Sequence, residues 1–132
     1  MLYFAEVVDL TVADGQITID KVWVAGDIGS QVINPLNAEH QMQGAVIDGI
    51  AQAMVWQPIE QKAGAVTNEN FGDFPLIRIN QTPGDVAITW VVTDNPPTGL
   101  GEPTLPPVIP AIANAIRDAT GKRLRSLPLT IA

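Results

Sequence analysis

Apolar and polar residues alternate near the start of the chain, loosely over Tyr3–Val12 and more clearly over Gln16–Val24, where Ile17, Ile19, Val22 and Val24 carry the pattern. A period of two describes strands buried on one face. Asp14-Gly15 between them suits the positive backbone angles of a tight hairpin turn. The pattern therefore predicts two antiparallel strands. Residues 25–34 (Ala-Gly-Asp-Ile-Gly-Ser-Gln-Val-Ile-Asn) interrupt it and predict a polar, glycine-bearing loop.

The period then changes. Met42, Ala45, Val46, Gly49, Ile50, Ala53 and Met54 follow helical spacing, and Asn34-Pro35 reads as an N-cap followed by a first-turn proline. Gly44, Ala45, Gly49, Ala51 and Ala53 thin this helix. An interior glycine costs about 1 kcal/mol, a cost accepted where neighbours pack closely. Burial on several sides is expected, including beneath elements outside this chain. Residues 57–67 suit a short strand pair around Ala63-Gly64, and Asn68–Pro83 an irregular but anchored loop. Val86–Thr93 predicts a further strand. A second helix is predicted over Leu105–Thr120, with Val108, Ile112, Ala115, Ile116 and Ala119 on one face. Gly121 stops it, and Lys122-Arg123 complement its dipole. Arg125–Ile131 predicts a short terminal strand or an extended tail. The order gives an α+β fold: a two-layer sandwich of a mostly antiparallel sheet with two helices on one face, as a single domain over residues 1–132.

Composition narrows the function classes. Fourteen acidic against seven basic residues, a formal charge of −7, argue against nucleic-acid binding. The chain has no cysteine, which excludes disulfides, thiolate catalysis and iron–sulfur ligation within it. Its single histidine, His40, cannot build a multi-histidine metal site, and no protein metal ligand is expected. No segment approaches the ~20 apolar residues of a membrane span, and Met1-Leu2-Tyr3-Phe4 lacks the features of a signal peptide. A soluble chain is expected, with its compartment unknown.

Three polar residues fall at predicted element ends. Glu102 is the only acid in residues 99–110 (Gly-Leu-Gly-Glu-Pro-Thr-Leu-Pro-Pro-Val-Ile-Pro). Flanking glycines and proline allow a tight, unusual turn there, and the following prolines suit a helix start. A carboxylate fixed beside the positive end of a helix serves as a general base, and equally as an ordinary helix-start acid. Asp27 reads as a ligand, a base or a turn former. Gln41 reads as an amide aimed at a ligand or as solvated surface. Asn34 reads as a cap, and His40 as an exposed helix residue.

Together the spellings point further. Residues 26–35 (Gly-Asp-Ile-Gly-Ser-Gln-Val-Ile-Asn-Pro), Gln41-Met42-Gln43-Gly44-Ala45 and Gly49-Ile50-Ala51-Gln52-Ala53 resemble a region of the molybdenum hydroxylases, relatives of xanthine dehydrogenase and aldehyde oxidase. So do Asn70–Arg78, Gly99-Leu100-Gly101-Glu102-Pro103 with Pro106-Pro107, Pro110–Ile116, and the tail 120–129. The spellings are nearest the large molybdenum-binding (beta) subunit of isoquinoline 1-oxidoreductase-like enzymes. The resemblance covers the whole chain and implies a C-terminal molybdopterin-binding segment of a larger subunit. It implies Glu102 as general base in the hydroxylation of N-heterocycles or aldehydes with water as oxygen source. It also implies Gln41 as a hydrogen-bond partner of a molybdenum-pterin cofactor, the cytosine-dinucleotide form included, and Gly101 on the approach to the metal. The remainder of the subunit and an iron–sulfur subunit are the implied partners, with the complete enzyme cytoplasmic or periplasmic. Gln43 departs from the family, which commonly has Glu there. A chain of this length lacks most of the site, so alone it is expected to hold no cofactor and to be inert. The alternative is a truncated, non-catalytic interaction domain that self-associates through the small-residue faces of helix one and the apolar segment around Phe71 and Phe74.

Overall fold

The computed structural model describes residues 2–131. Strands β1 (Tyr3–Ala13) and β2 (Gln16–Asp27) pair antiparallel along their length. Asp14 (φ 51°) and Gly15 (φ 76°) both take the positive angles that a two-residue hairpin turn needs. One irregularity explains the odd spacing of Ile17, Ile19, Val22 and Val24. Leu10 lies opposite Ile19 but Asp9 opposite Lys21, so Asp20 is an extra, bulged residue. The bulge shifts the alternation by one, and Ile19, Val22 and Val24 all reach the core. The Thr11 hydroxyl donates to the Asp20 carboxylate at 2.7 Å.

Helix α1 spans Pro35–Ile50, with the Asn34 side chain accepting from the Asn37 amide at 3.1 Å as an N-cap. The helical pattern does continue to Met54, but its last turn, Ala51–Val55, widens to π geometry. The Ala53 carbonyl in that turn accepts instead from the Leu129 amide at 2.7 Å, pinning the C-terminal tail. Among the described residues the tail forms no strand, and it buries Leu129. Residues 57–67 form the small hairpin β3 (Gln61–Lys62) and β4 (Ala65–Val66) around Ala63-Gly64. The loop beyond it is anchored by Trp56 against Phe74, ring centroids 5.7 Å apart, and includes a 3₁₀ turn at Ile79–Gln81.

Strand β5 (Asp85–Trp90) joins β2 in parallel, giving the order β1-β2-β5. A parallel pairing requires a crossover, which α1 supplies. Helix α2 (Leu105–Thr120) buries Val108, Ile112 and Ile116 and ends at Gly121 in the left-handed conformation (φ 74°). The expected α+β sandwich is present: α2 crosses β1 and packs on α1, which covers β5. The sheet is mixed, with the longer ladder antiparallel. Two local expectations are corrected. β2 runs past Val24 into the predicted loop because Ala25, Gly26 and Asp27 pair with Ala5, Phe4 and Tyr3. Arg123 turns back to donate to the Asn114 side chain at 3.2 Å.

One half-buried position at the margin of the core is acidic. The alternation that buries Val8 turns Glu6 inward beneath α2, where both carboxyl oxygens are shielded from water without a hydrogen-bond partner. Burial pushes its pKa from 4.5 up to about 8. Arg117, Asp118 and Arg123 line the same cleft. The folded state holds this proton to higher pH than the unfolded chain, so the associated stability is complete below about pH 4.5 and is lost as pH rises through about 8. Urea unfolding at pH 5 and pH 9 should show this loss in the wild type, by about 1–3 kcal/mol. Glu6→Gln should remove most of it.

Candidate functional site

The site is positioned by two loops laced together. The Asp27 carboxylate at the end of β2 is buried and accepts from the Gly29 amide (2.8 Å) and the Thr93 hydroxyl (3.0 Å). The Ser30 amide donates to the Asn95 carbonyl and the Thr98 amide to the Ile28 carbonyl, each at 2.9 Å. At Gly29 the backbone is left-handed (φ 101°), and a Cβ there would lie 2.6 Å from the Pro96 carbonyl oxygen. Only glycine fits both constraints. Of its three readings Asp27 is therefore the turn former, and it works at a distance from the candidate chemistry.

This lacing directs the chain through Gly99–Glu102 onto the exposed side of α1. There the Gln41 side-chain amide donates to the Gly101 carbonyl at 2.8 Å, across sixty positions of sequence. Glu102 follows immediately, and its carbonyl accepts from the Leu105 amide at 3.1 Å as α2 begins. Gln41, Gly101 and Glu102, the residues the resemblance marks, thus meet at one place. They line an open concavity of about 300 Å3 with His40, Gly44, Ala45, Asp48 and Leu105. The Gln41 and Glu102 side chains are exposed, as is His40.

The glycines act otherwise than the sequence suggested. Gly99 and Gly101 are absent from the positive-φ positions, so no unusual backbone turn holds Glu102. Their contribution is open space: a Cβ on Gly101, or on Gly44 of α1, would meet nothing within 4 Å. Gly49 alone of these is a packing glycine, since a Cβ there would lie 2.1 Å from a Val108 methyl. Asp48 went unnoticed in the sequence, although its spacing of seven from Gln41 already placed it on the same helix face. It accepts from the Gln52 amide at 3.1 Å. The larger cavity, about 470 Å3 between the hairpin and the π turn, is lined by Ile17, Ile50, Met54, Asn80 and other residues without a titratable group. The residues marked in the sequence lie at the smaller concavity.

The arrangement offers hydrogen bonds and one accepting carboxylate, on a surface kept clear of side chains. Gln41 spends one N–H on Gly101 and retains a second N–H and a carbonyl oxygen for a ligand. Among the described residues no group of three His, Cys, Asp or Glu could hold a metal ion. These residues fit a metal-bearing cofactor as a wall that hydrogen-bonds to its organic part. Such a wall is the contribution of a cofactor-binding domain rather than of a self-contained active site.

Comparison with known proteins agrees. The chain belongs to the molybdopterin cofactor-binding domain family, which matches residues 2–83, so Gln41 falls inside the match and Gly101 and Glu102 beyond it. It is 33% identical to isoquinoline 1-oxidoreductase subunit beta of Brevundimonas diminuta over 89% of its own length and 15% of that protein's. It is 36% identical to the putative xanthine dehydrogenase molybdenum-binding subunit of Escherichia coli K12, over 93% of the chain and 17% of the relative. The aldehyde oxidoreductase structure from Desulfovibrio gigas superposes with a TM-score of 0.79 at 28% identity, covering 96% of this chain and 14% of that one. The chain spans about one-seventh of the length of such relatives.

The lacing is testable without a ligand. Gly29→Ala should cost about 2 kcal/mol or more, combining left-handed strain with a backbone clash. Hydrogen exchange should then show faster amide exchange at Ser30, Thr98 and Leu105, while the amides of β1 keep wild-type protection.

Proposed function

We propose that this chain is the C-terminal cofactor-binding part of a molybdenum hydroxylase, a component of an oxidoreductase that hydroxylates N-heterocycles or aldehydes. The carrying observation is the Gln41–Gly101 hydrogen bond, which sets an amide and the Glu102 carboxylate side by side on one open surface. In this reading Gln41 holds the pterin part of the cofactor through its remaining N–H and carbonyl oxygen. Gly101 and Gly44 leave room for close approach. Glu102 is the general base, accepting a proton from the water whose oxygen enters the product. When bound, the molybdenum-pterin group supplies the redox chemistry by taking two electrons from the substrate.

Exposure of Gln41 and Glu102 supports a second element of the proposal. An exposed carboxylate with one wall around it neither excludes water nor orients a substrate. The isolated chain is accordingly inert and holds no cofactor by itself. The remainder of the subunit supplies the facing wall, and an iron–sulfur subunit, which this cysteine-free chain cannot replace, carries electrons away. The cofactor form, with or without a cytosine nucleotide, is set by that facing wall.

The test combines the chain with the missing part of the subunit and the iron–sulfur partner, then measures hydroxylation of isoquinoline-like heterocycles and aldehydes. Glu102→Gln should lower kcat at least ~100-fold with molybdenum content unchanged. Gln41→Ala should instead lower molybdenum content. Turnover by Glu102→Gln at the wild-type rate would overturn the base assignment, and molybdenum retained by the lone chain would overturn its inertness.

A further inference from the structure

The sheet has two faces and the helices cover only one. On the other, the register places Ala5 beside Ala25 and Thr89, and Val7 beside Trp23 and Ala87. Val7 is 63% exposed, Trp23 42% and the neighbouring Tyr3 58%. Scattered apolar side chains on a surface need no explanation, but a contiguous cross-strand cluster does. The sequence of β2 agrees, since Val22-Trp23-Val24-Ala25 is an unbroken apolar run. Such a run belongs to a strand covered on both faces, whereas a solvated face would alternate with polar residues. The row below, Asp9, Lys21 and Asp85, is charged and bounds the cluster. There Lys21 pairs with Asp85 at 2.6 Å and lies over the Trp23 ring at 5.1 Å.

We propose that this outer sheet face, centred on Val7 and Trp23, is the seat of the remainder of the molybdenum-binding subunit, which packs on it as a third layer. The inference rests on the function proposed above and adds where the missing chain attaches. Length selects the occupant: relatives of which this chain spans 15–17% carry ample additional chain to cover the face. The face is separate from the concavity at Gln41 and Glu102, which opens beside the helices. The remainder therefore meets this domain on two sides, by apolar packing on the sheet and across the cofactor at the helices.

The experiment co-expresses the tagged chain with the rest of the subunit encoded in the same genome, as a separate polypeptide, and measures co-purification and dissociation constant. Val7→Glu and Trp23→Glu should each weaken association at least ~10-fold, because a carboxylate would be buried unpaired. Their circular dichroism and melting as lone chains should match wild type. Since the chain has no cysteine, Val7→Cys and Thr89→Cys give a second readout that does not depend on tolerating a charge. Both thiols should react with maleimide in the lone chain and be protected in the complex. Glu102→Gln should associate normally, so loss of turnover and loss of docking are read separately. Unchanged association in both glutamate variants, full thiol reactivity in the complex, or no such polypeptide in the genome would overturn the proposal. So would a homodimer of the lone chain that Val7→Glu dissolves, which would make a second copy the occupant.

Discussion

Everything at the candidate site depends on the short stretch where residues 27–30 and 93–98 are hydrogen-bonded to one another. The segment after β5 has little regular structure of its own, and fixing each of its residues costs on the order of 1–2 kcal/mol in backbone entropy. It is held because Asp27 collects two donors in a buried position and because the Ser30 and Thr98 amides find carbonyls across the gap. Gly29 lets the two strands of the junction approach within backbone contact. Without this pinning nothing would deliver Gly101 to Gln41, and Glu102 would sit on a free loop. An acid with no part in the chemistry thereby controls where the candidate base lies.

The helix crossing supplies the second constraint. Gly49 meets a Val108 methyl, and a Cβ there would also lie 3.1 Å from the Leu105 carbonyl oxygen. This close contact of α1 and α2 lies one turn from Leu105 and two turns from Gln41. Interhelical distance falls directly into the spacing between the Gln41 amide and the start of α2. Packing below the site and hydrogen bonding beside it fix the same two residues from independent directions, as a preorganised site requires.

The sequence made the elements legible where period and punctuation agreed. Asp14-Gly15, Asn34-Pro35 and Gly121 each marked a boundary for a local backbone reason, and the helical period reached Met54 as the structure does. Legibility failed where tertiary context decided. The jump from Ile19 to Val22 encoded a bulge, visible only once β1 was in register beside it. The end of β2 looked like loop because Ala25, Gly26 and Asp27 carry weak strand propensity, yet Tyr3–Ala5 supply partners for their backbone. Glu6 broke an apolar register in plain view, but what that does to its charge depends on α2 lying above. At the site, the residues were recognisable by resemblance, while their meeting was not. Sixty positions separate Gln41 from Gly101, and no local rule joins them.

The distribution of order within the domain bears on how a larger assembly would use it. The buried side chains, Met42, Val46, Val108, Ile112 and Ile116 among them, lie between the sheet and the helices, so the domain has a core of its own. Its exposed parts, the Gln41–Glu102 concavity and the outer sheet face, are carried on elements already fixed by that core. A wall formed before assembly loses little further entropy when a cofactor or a neighbouring layer arrives, and the binding energy is then available for contacts. The acidic residue beneath α2 works against this economy only where it ionises, because a carboxylate at Glu6 on β1, the edge strand of the same sheet, would have no hydrogen-bond partner there. In the folded chain its carboxyl keeps its proton up to about pH 8, so near neutrality β1 carries a neutral inward acid and not a charge.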